Sequence, residues 1–302
     1  MRSSTGVPSS AIRALLAGAI DYAGLFPPAA LDMASAVREY AAQRSGPDAW
    51  ALGRFVVPAA RLEELARATS ETPGAVARLS VLLGGDPASD LRALEEFNRR
   101  HGARGIRADT VETRADSSEA AGRVLELVPR ELTAYLEVPV EPDPAPLLAA
   151  IARGGGRAKV RTGGVTADAF PTPAVLLRFL RGCVAAGLPF KATAGLHHPL
   201  RAEYRFTYAP DSPAGTMFGF ANVFLAAAFL HVGMRDDDAL RLLEERDARA
   251  FRMDADGVEW RGHRLTRAEV EAARGLAIVS FGSCSFTEPV AEARGLGWLS
   301  PV

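Results

Sequence analysis

Short apolar, β-branched runs alternate with longer amphipathic stretches along this chain, eight times over, at intervals of about 25 to 30 residues. Two strands that face the same way need a long crossover between their ends, so strand–helix–strand repeats predict a parallel sheet. Strand-type runs fall at residues 19–22, 54–57, 79–83, 105–109, 132–138, 158–162, 189–193 and 277–281. Helical patterns fall between them, at 31–43, 60–69, 89–100, 117–127, 146–152 and 174–186. Thr172-Pro173 opens the last of these, an N-cap followed by proline at the first helical position. No Gly-x-Gly-x-x-Gly follows the first run, which removes the signature of a dinucleotide fold. Eight units in 302 residues predict an α/β fold of the closed kind, a (β/α)8 TIM barrel, in a single domain over residues 1–302.

The rhythm breaks once, between the seventh and eighth strands. Residues 197–276 read as an inserted helical and hairpin segment. Its most apolar part, residues 217–234, is barely long enough to cross a bilayer and contains Asn222 and His231, so it reads as a buried helix. An acidic helix is expected at 236–245, and a hairpin with strands 251–253 and 258–260 around an Asp-Ala-Asp-Gly turn. Thr266 with Glu269 reads as a capping box into a further helix.

A net charge of −1 gives no reason to expect nucleic acid or an acidic membrane as partner. Two cysteines without a CxxC pair argue against a disulfide framework and fit a reducing cytoplasm. The first ten residues, MRSSTGVPSS, hold no apolar core of a secretory signal. The expected partner is a small-molecule substrate, and pairing of barrels into a homo-oligomer is open.

Of 35 basic residues only two are lysines, Lys159 and Lys191. Arginine replaces lysine on a solvated face, but it cannot form a neutral amine. Both lysines fall where a strand meets a glycine-containing turn, in AKVRTGG and PFKATAGLHH. Active sites of barrels form at these strand ends. The lysines stand 32 positions apart, one strand plus one helix, so they are expected on adjacent strands. Two neighbouring ammonium groups repel, and repulsion with burial is expected to lower the pKa of at least one, with Arg161 adding to the field.

In these motifs the chain resembles the deoxyribose-phosphate aldolases, imine-forming lyases built on a barrel. Lys159-Val160-Arg161-Thr162-Gly163 matches the family's Lys-x-x-Thr-Gly on strand six, and Lys191-Ala192-Thr193-Ala194-Gly195 resembles its second lysine on strand seven. Ile20-Asp21 with the loop to Pro28 resembles the opening strand, and Phe281-Gly282-Ser283-Cys284-Ser285 the glycine- and serine-rich phosphate loop. The resemblance covers roughly residues 17–196 and 277–290. It implies no cofactor, Lys159 as imine-forming nucleophile, Lys191 as its electrostatic neighbour, and a small carbonyl substrate, phosphorylated or not. At the family's strand-four aspartate this chain offers Arg107 or Asp109.

A proton carrier is expected among Asp21, Asp109, Glu137 and His197, while Arg161, Thr162, Gly163, Thr193, His198, Arg107, Gly282, Ser283 and Cys284 are expected to contact substrate. For each carboxylate a salt bridge to one of the many arginines is an equal reading. Cys284 also reads as a small residue in a tight turn. Two other functions stay open: a metal-assisted hydrolase or isomerase using His197 or His198, and a non-catalytic barrel whose lysines hold an anion. No metal ligand set is assigned from sequence.

Overall fold

Eight short strands close into a barrel in a computed structural model that describes residues 11–72 and 74–301. The N-terminal decapeptide read above for a secretory signal lies outside the described residues. The barrel strands are β1 (Ile20–Tyr22), β2 (Leu52–Pro58), β3 (Arg78–Leu82), β4 (Arg107–Arg114), β5 (Thr133–Glu137), β6 (Arg157–Arg161), β7 (Phe190–Thr193) and β13 (Ile278–Ser283). Each pairs in parallel with its neighbours in chain order, and β13 closes onto β1. The predicted (β/α)8 barrel is the observed fold.

Helices between the strands start where the chain supplies a cap. Asp32 accepts from Ser35 N at the head of α2 (Met33–Ser45), and Asp86 from Ser89 N at α4 (Pro87–His101). Ser117 caps α5 (Ser118–Leu127), and Thr172 caps α7 (Pro173–Ala185) with Pro173 at its first turn. Such side-chain oxygens satisfy backbone N–H groups that the helix itself leaves orphaned. The strand-four expectation fails at its end: the strand runs to Arg114, five residues past the expected stop at Asp109. Thr110, Val111 and Thr113 sustain the extended backbone until Ser117 turns it into a helix.

The long segment before β13 contributes to both ends of the barrel. Its hairpin, β8 (Ala202–Arg205) with β9 (Ala214–Met217), contributes residues to a cavity beside the loop after β7. Next comes α8 (Phe220–His231), the apolar stretch, packed against β13 and helices α7, α9 (Asp236–Glu244) and α10 (Arg267–Leu276). Every residue of α8 but His231 is buried, with Phe220 and Phe224 packed on Phe281 of β13 at centroid distances of 5.4 and 5.5 Å. Asn222, its one interior polar side chain, accepts from Arg201 N and donates to Leu242 O and Glu245 O, so it is fully used. No helix among the described residues is long and apolar enough to cross a membrane. The expected hairpin forms as β10 (Phe251–Met253) and β11 (Gly257–Trp260), extended by β12 (His263–Thr266). Thr266 and Glu269 make the capping box of α10. This small sheet packs on α1 (Ala11–Leu16), which leads into β1 at the opposite end from the β7 loop.

Candidate active site

One register row sets the site. Ser280, Lys191, Lys159 and Glu137 pair in sequence across β13, β7, β6 and β5, so four polar side chains share one level of the barrel. Parallel strands in register aim paired side chains to the same face. Glu112 of β4 and Asp21 of β1 complete the circle.

Lys191 Nζ lies 2.6 Å from Asp21 Oδ2 and 2.6 Å from Glu112 Oε1. Lys159 Nζ lies 2.9 Å from Glu112 Oε2 and 3.0 Å from Glu137 Oε2. Glu112 thus bridges both lysines, one oxygen to each. Supporting donors fix the carboxylates. Ser80 Oγ donates to Glu112 Oε1, Ser280 Oγ to Asp21 Oδ2, and the Arg54 backbone N–H to Asp21 Oδ1. Gly53 permits that last contact, because a Cβ there would stand 2.4 Å from Asp21 Oδ1.

Charges this deep cost several kcal/mol each unless neighbours compensate them. Here they do, and the compensation reverses the electrostatic expectation. Burial favours a neutral Lys191, yet Asp21 and Glu112 outweigh it and hold the ammonium well above the ordinary lysine range. Likewise burial favours a protonated Glu112, but Lys159 and Lys191 hold it ionised, far below the usual carboxylate range. The expected lowering of a lysine pKa by ammonium repulsion is therefore not found at Lys191, because a carboxylate stands between the two amines.

Above the cluster is a cavity of about 240 Å³. Lys159, Lys191 and Glu112 form its polar floor, with Thr193, His197, Gly282 and Cys284 on one side. Phe26, Pro27, Pro28, Val56 and Leu82 make an apolar wall. Thr193 Oγ1 is buried and has no hydrogen-bond partner among the described residues, so it can meet a ligand. Arg161 reaches the rim, exposed and without an ion-pair partner among the described residues. A second cavity of about 500 Å³ adjoins the first and shares Pro28, Gly164, Gly195 and His197 with it. Its walls include His198, Tyr204 and Tyr208.

Several expected contacts play other parts. Thr162 Oγ1 donates to Ala194 O at 2.6 Å and ties the β6 loop to the β7 loop. Gly163 packs against Phe170, whose ring a Cβ would meet at 2.2 Å, and against Gly195, which turns the chain with φ +74°. Asp21 and Glu137 belong to the lysine cluster rather than to the cavity wall. Ser283 Oγ donates to Ser285 O and sits 3.1 Å from His197 Nδ1. Burial, and then His198, push His197 down to about 4, so its ring is neutral near pH 7. Cys284 faces the cavity as a buried thiol that burial keeps protonated, 3.5 Å from Tyr208 Oη.

One expectation is corrected. Arg107 opens β4 at its exposed start, and Asp109 lies three residues short of Glu112, bound by Arg54 at 2.6 Å and Arg78 at 2.7 Å. Neither lines the cavity. Placing the end of β4 at Asp109 mistook the entrance of the strand for its exit; the β4 carboxylate that reaches the lysines is Glu112. In the glycine- and serine-rich stretch where β13 ends, Gly282 and Cys284 line the cavity. The Ser285 and Glu288 backbone N–H groups donate to the hydroxyls of Ser283 and Ser285.

The fold and the site define a (β/α)8 barrel with a buried lysine–carboxylate cluster at its mouth. No family model and no curated protein matches the chain.

Proposed function

We propose that the protein is a lyase of the imine-forming aldolase type, acting on a small carbonyl compound through Lys159. The observation that carries this reading is the position of Lys159: on the cavity floor, 8% exposed, and flanked by two carboxylates. Lys191 is 1% exposed and locked between Asp21 and Glu112, which suits a permanent cation rather than a nucleophile. The resemblance to deoxyribose-phosphate aldolases assigns the same roles.

The chemistry follows from the contacts. Lys159 must shed a proton before it can attack. Glu137, 3.0 Å away, also lines a groove that opens to solvent beside Arg161, so it can take that proton and pass it to water. The neutral amine adds to the carbonyl carbon, and loss of water from the carbinolamine leaves an iminium. That cation occupies the place of the ammonium between Glu112 and Glu137, so the charge balance of the cluster is kept. A carboxylate of the cluster, acting through water, takes the proton of a hydroxyl β to the iminium carbon. The C–C bond then breaks and its electron pair moves to the iminium nitrogen. The aldehyde leaves, the resulting enamine is protonated at carbon, and water releases the second product from Lys159. A cavity of about 240 Å³ suits a small carbonyl compound at Lys159.

A purely anion-binding barrel fits less well, because each ammonium here already has two carboxylate neighbours. Borohydride reduction in the presence of small aldehydes and ketones, read by peptide mass, tests the proposal. A reduced adduct on Lys159 that is lost in Lys159→Arg is expected. An adduct on Lys191 alone would reverse the roles, and none across the panel would overturn the reading.

A further inference from the structure

The second cavity, a vestibule to the first, has His198 and Glu288 in its wall, side chains that the lysine chemistry does not use. Helix α11 (Thr287–Gly295) begins just after β13 and presents Glu288 and Glu292 one turn apart. His198, from the loop after β7, lies against them: its Nδ1 is 2.8 Å from Glu292 Oε1. One ligand atom from each of His198, Glu288 and Glu292 can be chosen so that all lie within 4.8 Å of one another.

We propose that these three residues bind a divalent transition-metal ion, zinc or manganese, at the mouth of the barrel. Charge is the first argument. Carboxylates in this arginine-rich chain are commonly paired with guanidinium groups, as Asp109 is with two. Glu288 and Glu292 have only histidines within salt-bridge distance among the described residues. Two like charges at i and i+4 repel, and a cation between them removes that cost. Ligand chemistry is the second argument. One imidazole nitrogen with two carboxylates is a hard-to-borderline donor set suited to such ions. Donors around one ion bound at about 2.0–2.2 Å stand roughly 3–3.5 Å apart, so the observed cluster needs only small side-chain adjustments. Orientation is the third. Tyr204 stacks on the His198 ring at 3.4 Å and 8°, and Tyr208 Oη donates to Glu288 Oε2 at 3.2 Å. Groups behind a ligand that fix its direction are a regular part of metal sites.

Three protein ligands leave coordination positions open. His198 and Glu288 both line the vestibule, so an open position there faces the cavity that continues to Lys159. An oxygen of the substrate, from a hydroxyl, carboxylate or phosphate, would occupy it. The ion would thus supply an anchoring charge at the mouth of the barrel. Metal binding itself does not depend on imine formation.

The test uses the full chain, freed of metal by dialysis against a chelator and titrated with zinc sulfate or manganese chloride in a calorimeter. One ion per chain and a raised thermal midpoint are expected for the wild type. Glu292→Gln, a partly exposed and near-isosteric change, should weaken binding at least ten-fold, and His198→Ala should abolish it. Anomalous diffraction at the zinc edge should place the ion between the three side chains. Absence of stoichiometric binding by the wild type, or binding that survives both substitutions, would overturn the proposal. Borohydride trapping at Lys159 with a simple monocarbonyl probe, run on the same variants, reports on the imine reading separately.

Discussion

Glu112 touches both lysines of the chain, Oε1 on Lys191 at 2.6 Å and Oε2 on Lys159 at 2.9 Å. This single carboxylate couples a locked cation to an amine at the cavity surface. Its removal should be felt at both. Glu112→Gln leaves Lys191 with Asp21 alone and Lys159 with Glu137 alone, and breaking a buried pair costs about 3–5 kcal/mol. Denaturant unfolding should show a loss of that order, and the rate of borohydride trapping at Lys159 should fall.

The two lysines should differ in what their loss costs. Lys191→Met leaves the fully buried Asp21 with no cation and Glu112 with Lys159 alone, whereas Lys159→Met leaves Glu112 bound to Lys191 and Glu137 near water. Unfolding in urea should rank Lys191→Met as the more damaging, by about 2 kcal/mol or more. Equal losses would contradict the locked-cation role.

Acid should weaken the fold through Glu112. Its folded-state pKa lies below its unfolded value, so its contribution is complete above the ordinary carboxylate range near about 4.3. It is lost as pH falls through that range toward the depressed folded value. Lys191 has the opposite sign: its contribution is complete below about 10.4 and is lost only as pH rises toward its raised folded value. The urea midpoint should therefore be flat near neutrality and drop below about pH 5, with a shallower drop in Glu112→Gln.

Thr193 offers a milder probe. Its buried hydroxyl has no partner among the described residues, so Thr193→Val removes an unsatisfied polar group without leaving a cavity. Stability should be unchanged or slightly higher, while the carbonyl concentration needed for half-maximal trapping should rise severalfold. A stability loss above about 1 kcal/mol would mean that the hydroxyl is already used within the fold.

Gly195 tests the turn that ends β7. Alanine there must hold φ +74°, at about 1–2 kcal/mol, and its Cβ would stand 2.9 Å from the Phe170 ring. Gly195→Ala should lower the thermal midpoint and slow trapping, since Lys191 and Thr193 lie just upstream on the same strand.

The sequence carried the barrel because its signals are local: apolar runs, capping residues and Thr172-Pro173 each act within a few positions. The lysines were legible because arginine had replaced lysine everywhere else. Glu112 was not, for a specific reason. Strand β4 begins with polar residues, so the apolar pattern faded at Asp109, and the acid that mattered lay beyond the expected end. The sign of the Lys191 shift was equally hidden, since it depends on carboxylates from β1 and β4, which are remote in sequence. Glu288 and Glu292 lie near the C-terminus, far from His198 in sequence, and only the pairing of β13 beside β7 brings them to the same rim.

The confinement of both lysines to the barrel interior has a chemical consequence for the whole surface. Aldehydes and ketones condense readily with exposed amines, and a lysine-rich exterior would gather such adducts at random. Guanidinium groups stay protonated and form no comparable imine. Apart from the α-amine, this exterior presents a reactive carbonyl compound with no amine to modify, and the nearest one available lies at the bottom of the cavity.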